Sequence, residues 1–313
     1  MAVYTYITQT EAQNLFKPLG EIEKLEGIKE GVENTNYLVY LNDSKKYILT
    51  LFEKRTDEKD LPYFNNLMEL FHKRGVSCPL SISIENKNIF KINEKPCCIY
   101  SFVEGRPLID VNKEKLSSLG KAIAHLHNSG SNSELIRKNM MLIPSWKLII
   151  ESFAKNDTET HNEEYKYILR NIKNLQDKFP NNLRQFNIHA DLFKDNIFFL
   201  NNHVSGFIDF FFSCTDTVVY DLATFVNAWF FQNNKFAENE YLNFLKPYQQ
   251  SFKLSNDEKD IFNFYLKVSA IRFFLTRLYD LNFNKEGNVK HKNPIEFFEI
   301  FRFHEKYNLQ DFF

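Results

Sequence analysis

The chain has 313 residues, 43% hydrophobic and 16% aromatic, enough for a sizeable core in one large domain or two lobes. Lys and Arg total 39 against 40 Asp and Glu, a net charge of −1, and this lack of basic excess argues against nucleic acid as a partner. Cys78, Cys97, Cys98 and Cys214 form no CxxC pair, the N-terminus lacks a basic segment leading into an apolar run, and runs such as IFFL are far shorter than a membrane span; buried free thiols and a cytoplasmic setting are therefore expected, not a zinc site, disulfides or a membrane anchor.

In chain order, a short helix is predicted from about Thr8 to Lys17, then a β-hairpin in which NYLVYL and KKYILTLF flank the turn Asn42-Asp43-Ser44. Phe64, Leu67, Met68 and Phe71 recur at helical spacing between Pro62 and Arg74, and Gly75 supplies the stop. Strand-like LSISI, NIFKI and CCIYSFV follow, separated by polar turns. The texture changes at Glu104-Gly105-Arg106-Pro107; beyond it Leu116, Leu119, Ile123 and Leu126 mark an amphipathic helix closed by Asn128-Ser129-Gly130. Most of the remainder reads as helix, interrupted by one hairpin near residues 197–209. The expected class is α+β: a small antiparallel-sheet lobe over 1–103, a short hinge, and a larger mainly helical lobe over 104–313, with a cleft between them.

The chemistry gathers in the second hairpin. HADLFKDN spans 189–196, and IFFL, Asn201-Asn202-His203 and VSGFIDF follow. With the turn near residue 202, Asn196 and Asp209 lie at the same open end of the two strands, where the loop carrying Asp191 enters. An amide oxygen and a carboxylate suit Mg²⁺, which takes one or two protein oxygens and completes its shell with phosphate and water. Asp191, a separate carboxylate, is placed to orient an attacking hydroxyl and accept its proton, and phosphoryl transfer needs little more than such positioning and charge neutralisation.

HADLFKDN followed by FIDF resembles the HxDxxxxN loop and metal-binding aspartate of the aminoglycoside-phosphotransferase-like, or protein-kinase-like, superfamily. GVENTNYLV, YILTLFE, LPYFNNLMELFHKRGVSCP, YDLATFVNAW and AIRFFLTRLYD further resemble its homoserine-kinase branch, so that the likeness spans nearly the whole chain. The resemblance implies a two-lobed kinase-like fold, and ATP- and Mg²⁺-dependent phosphorylation of the homoserine side-chain hydroxyl on the route to threonine. It implies Asp191 as catalytic base, Asn196 and Asp209 as metal ligands, His189 as a support of the loop and Asp221 as its brace. Lys194 and Asp195 fall outside the matching positions and are given no role.

The implied nucleotide contacts are Gly31, Asn34, Thr35 and Asn36 in the polar segment before the first hairpin strand, with Ser101 and Val103 at the end of the last strand of that lobe beside the adenine. A plain polar turn is the competing reading of residues 30–36. Thr50 occupies the position where kinases carry a phosphate-gripping lysine, and Phe64 stands where its glutamate partner is expected. Both halves of that ion pair are missing together, which avoids a lone buried charge; Lys54 or Arg55 is a candidate to supply charge nearby, with an exposed surface side chain the favoured reading.

Homoserine needs a cation for its carboxylate. Arg272 and Arg277 are the candidates, and at about 140° apart on a helix they do not face one small ligand together. Arg272, beside Ser269, Thr276 and Tyr279, is preferred; for Arg277 the alternative is an ion pair with Asp280 along its own helix. Asn227 and Trp229 are further candidates for acceptor contacts, although tryptophan at such a position is more often core. Two rivals stay open at this stage: a choline- or aminoglycoside-type kinase, and a nucleotide-binding pseudokinase favoured by the missing Lys–Glu pair.

Overall fold

The computed structural model describes residues 5–29, 34–53, 56–155, 162–180, 182–283 and 292–313. The described chain forms two compact units, the first ending at Glu104 and the second beginning at Gly105.

In the first unit, α1 (Gln9–Phe16) starts where Thr8 and Glu11 cap each other: the Thr8 side chain accepts from the Glu11 N–H, and the Glu11 carboxylate accepts from the Thr8 N–H. A five-stranded antiparallel sheet follows in the order β1-β2-β3-β5-β4, built from β1 (Ile22–Gly27), β2 (Thr35–Leu41), β3 (Lys46–Leu51), β4 (Phe90–Ile92) and β5 (Lys95–Ser101). Strand alternation divides its side chains between two faces. Tyr37, Val39, Leu41, Leu49, Leu51, Cys97 and Ile99 join Ala12 and Phe16 of α1 in one core. Asn36, Thr50, Cys98 and Tyr100 belong to the alternate set, and α2 (Leu61–Lys73) meets it through Asn65, which donates to Cys98 Sγ (3.7 Å) and accepts from the Tyr100 hydroxyl (2.8 Å).

One expected strand is absent from its place, and one strand is present that no sequence pattern marked. LSISI forms no extended strand: the Leu80 carbonyl and Ile82 N–H bond β5, and Ser81 makes one isolated bridge to Tyr100, so the segment only prolongs the edge that β4 begins. Conversely, β1 (IEKLEG) carries no clean alternation of apolar residues; its pairing with β2 makes it a strand.

The second unit opens with β6 (Arg106–Pro107) and α3 (Lys113–Ser129), capped by the Asn112 side chain. Gly105 has φ of +120°, and a Cβ there would lie 2.7 Å from the Phe199 carbonyl oxygen, so only glycine fits this turn. After α4 (Ile143–Lys155) and α5 (Asn162–Gln176) come β7 (Phe186–Ile188), the hairpin of β8 (Ile197–Leu200) and β9 (His203–Phe207), and β10 (Cys214–Asp216). The hairpin turns at Asn201, with φ of +57°, and β6 adds to it in the order β6-β8-β9. β7 pairs with β10 and delivers the chain into the 189–196 loop. Gly130, which ends α3, could not bear a side chain: a Cβ would meet the Asn187 carbonyl oxygen at 2.0 Å.

The rest is helical, apart from the small ribbon of β11 (Phe231–Gln232) and β12 (Lys235–Phe236): α6 (Val218–Trp229), α7 (Glu238–Ser251), α8 (Asn256–Asp260), α9 (Phe262–Phe283) and α10 (Ile295–Lys306). α3 packs on α7, and α9 packs against both α6 and α10. Most of the first half of α9 is buried, which makes it the central helix of this unit and puts Arg272 in the interior. All four cysteines are free and buried, and among the described residues no helix is long and apolar enough to cross a membrane.

Candidate active site

The 189–196 loop leaves β7 and enters β8 after a turn of 3₁₀ helix at Lys194–Asn196. Asp191 retains 16% side-chain exposure. Its Oδ2 accepts from Asn196 Nδ2 at 3.0 Å, and the same nitrogen donates to the Asp191 carbonyl at 2.9 Å. The Asn196 amide is thereby oriented, with its nitrogen toward Asp191. On the returning strand the Ile208 N–H donates to the Asn196 carbonyl at 2.9 Å, which sets the next residue, Asp209, at the same end of the hairpin as Asn196. Asp209 adopts φ 62°, ψ 63°, a left-handed conformation that costs a non-glycine residue about 1–2 kcal/mol.

Three buried groups shape the loop from behind. His189 acts as a neutral strut: its Nε2 donates to the Ile208 carbonyl (2.9 Å), its Nδ1 accepts from the Asp191 N–H (3.3 Å), and burial pushes its pKa down. Asp221, fully buried on α6, accepts the N–H groups of His189 (3.0 Å) and Ala190 (2.8 Å). His127 of α3 brings its Nε2 to 3.4 Å from Asp221, while its Nδ1 faces the Tyr248 hydroxyl at 2.8 Å. Arg272 is the third: one guanidinium nitrogen donates to the Ala190 carbonyl and to the Tyr220 hydroxyl (3.0 Å), and NH2 lies 3.6 Å from Asp191 Oδ1. Burial raises the Asp191 pKa; Arg272 opposes that rise most strongly, ahead of His189, Lys292 and Asn196.

The acceptor-side candidates each have partners within the protein. Arg272 has 3% side-chain exposure, and its guanidinium meets the Ala190 carbonyl, the Tyr220 hydroxyl and Asp191. Arg277 is committed to Glu296 (2.7 Å) and the Asn293 carbonyl (2.9 Å) and lies over the Phe297 ring. Asn227 donates to the Leu266 carbonyl (2.8 Å) and presents its oxygen to His304 Nε2 (2.8 Å), which occupies both ends of the amide in the core. Trp229 donates its indole N–H to the Leu192 carbonyl (3.0 Å) and so buttresses the loop from α6.

The nucleotide-side expectations divide by sheet face. Asn36 and Thr50 are cross-strand partners, and the Thr50 hydroxyl donates to Asn36 Oδ1 at 2.7 Å. Thr35 belongs to the opposite face, where its hydroxyl donates to Glu53 (2.7 Å) in a network with Thr5 and Lys95. Alternation therefore removes Thr35 from the set containing Asn36 and Thr50. Asn34 is buried and accepts from the Glu53 N–H at 3.3 Å. Ser101 is engaged with Leu80 through both its N–H and its hydroxyl, and Val103 is buried just past β5. Gly31, Lys54 and Arg55 lie outside the described residues. Phe64 is buried in α2, and the polar residue that α2 presents to the sheet is its neighbour Asn65.

Asn196 and Asp209 offer one neutral and one anionic oxygen, a donor set that fits a Mg²⁺ completed by phosphate and water. Among the described residues there is no cluster of three or more His, Cys, Asp or Glu that would enclose a metal without substrate. The bracing of His189, Asp221 and Arg272 was not derivable from spacing, because their partners are loop backbone groups reached only in three dimensions. His127 carried no sequence signal, and Tyr220, within YDLATFVNAW, was given no role.

Comparison with known proteins agrees with this geometry. Residues 24–251 match the model of the phosphotransferase enzyme family. The homoserine kinase of Sinorhizobium fredii is 36% identical over 309 residues, covering 97% of this chain and 94% of that enzyme; that of Brucella anthropi is 36% identical over 311 residues, covering 98% and 95%. Among solved structures, an amicoumacin kinase in complex with AMP-PNP, Ca²⁺ and its antibiotic superposes with a TM-score of 0.72 at 16% identity, over 97% of this chain and 94% of that one, which shows the kinase-like fold. The chain belongs to the phosphotransferase enzyme family and, within it, to the homoserine kinases.

Proposed function

We propose that the chain transfers the γ-phosphoryl group of ATP to the side-chain hydroxyl of L-homoserine, giving ADP and O-phospho-L-homoserine, a step toward threonine. The observation that carries this reading is the Asp191 carboxylate, bonded to Asn196, in a chain that matches curated homoserine kinases over almost its whole length. Asp191 orients the hydroxyl and accepts its proton as the oxygen–phosphorus bond forms and the bond from the γ-phosphorus to the bridging oxygen of ADP breaks. Asn196 and Asp209 would hold Mg²⁺, which when bound neutralises triphosphate charge. Within the first unit, the neutral Asn36–Thr50 pair stands where kinases carry the phosphate-gripping lysine, and the Asn36 NH₂ is the donor proposed for the nucleotide.

Purified protein with ATP, Mg²⁺ and homoserine is expected to release ADP and O-phosphohomoserine in equal amounts, followed by coupled ADP release and ³¹P NMR. Nucleotide binding without product would favour a pseudokinase. Faster turnover of choline or an aminoglycoside than of homoserine would overturn the acceptor assignment.

A further inference from the structure

The geometry points to Arg272 as the positioning residue that registers the catalytic loop, the turn after Asp209 and α6 against one another. This rests on the reading of Asp191 as the base and homoserine as the acceptor.

The peptide that carries Asp191 is held on both sides of an unusual residue. Ala190 has φ of +65°, outside the ordinary range of an L-residue. Its N–H is fixed by Asp221 Oδ1 at 2.8 Å, and its carbonyl by an Arg272 guanidinium nitrogen. Releasing either end lets the 190–191 peptide rotate toward a normal conformation and carries the Asp191 side chain with it. The second arm of the guanidinium lies 3.6 Å from Asp191 Oδ1, a separation suited to electrostatic restraint of the carboxylate.

The guanidinium is itself fixed. The Tyr220 hydroxyl of α6 accepts from it at 3.0 Å, and its carbon lies 4.3 Å from the Phe273 ring centroid and 5.3 Å from that of Phe212. Phe212 closes the 3₁₀ turn that starts immediately after Asp209. One planar cation therefore touches the loop of the base, the turn beside the proposed metal ligand, and the helix that supplies Asp221. A lysine carries the charge but not the fork, so it cannot serve the Ala190 carbonyl, Tyr220 and Asp191 at once.

The test compares Arg272→Lys and Tyr220→Phe with the wild type in steady-state kinetics on homoserine, with ADP affinity and thermal melting as controls for folding. For Arg272→Lys, kcat is expected to fall about 100-fold, the scale of a misplaced reacting group, while the KM for homoserine stays within about twofold. Tyr220→Phe removes only the hydroxyl partner and is expected to lower kcat by about three- to tenfold, again without a change in KM. A KM for homoserine raised tenfold or more with kcat retained would mean that Arg272 grips the acceptor and would overturn the inference, as would unchanged kcat in both variants. If Arg272→Lys does not fold, Tyr220→Phe decides. Wild-type protein that shows no turnover of homoserine fails the acceptor assignment instead, and the same two variants are then scored on the alcohol that does support ADP release.

Discussion

Asp221→Asn separates the support of the loop from its chemistry. In the wild type the two carboxylate oxygens accept one backbone N–H each, from Ala190 at 2.8 Å and His189 at 3.0 Å, with His127 Nε2 3.4 Å from the second oxygen. The amide of asparagine has one oxygen, so in either orientation its NH₂ faces a backbone N–H. A buried N–H without an acceptor costs about 1–3 kcal/mol, and the surviving hydrogen bond loses its charge assistance, about 1 kcal/mol more. The expected destabilisation is about 2–4 kcal/mol. Ala190, freed at its N–H, relaxes from φ of +65° and moves Asp191; a displacement of about 1 Å lowers kcat about 100-fold. Urea unfolding and initial-rate ADP release measure the two effects on one preparation. A variant with wild-type kcat and less than about 0.5 kcal/mol lost would refute the account of Asp221 as the anchor of the loop.

Three other predictions concern the base, the interior and pH. Asp191→Asn should lower kcat by about 10²–10⁴-fold with ATP affinity within twofold, since it removes the proton acceptor; measurable wild-type turnover in that variant would end its assignment as base. Gly130→Ala drives a methyl to 2.0 Å from the Asn187 carbonyl and should cost about 3 kcal/mol in urea unfolding, with reduced activity because β7 leads into the loop. His304, whose pKa burial depresses to about 3, hydrogen-bonds Asn227 through Nε2 while its Nδ1 is buried without a partner. The unfolded chain therefore binds a proton below about pH 6.5 that the folded chain does not, so this residue's contribution is intact above that pH and is lost at about 1.4 kcal/mol per pH unit on acidification toward 3. His304→Gln should flatten the acid limb of stability over pH 4–6.5, and an unchanged slope would exclude His304 as its source.

The elements that sequence predicted were those in which local signals agree. α3 is bounded by Asn112 and Gly130 and carries its apolar residues on one face; the second hairpin announces itself through Asn201-Asn202, and its symmetry places Asn196 and Asp209 at one end before any coordinates are consulted. Pairs of three-residue strands such as β7 and β10 leave no periodicity to read, and β1 is an edge strand whose charged residues hide its pairing.

By itself, the sequence carried the family, because the likeness of HADLFKDN and FIDF is joined by resembling segments along nearly the whole chain, while the one loop and one hairpin between them bring Asn196 and Asp209 to the same end. Tertiary structure decided what the arginines touch. Arg272 and Arg277 are both cations on α9 at unremarkable spacing, yet packing buries one under the catalytic loop and ties the other to α10. It also decided that Thr35 and Asn36, adjacent in sequence, belong to opposite faces of a sheet. A side chain's partners within one loop follow from covalent geometry; those across elements depend on which helix packs where, and no local pattern carries that information.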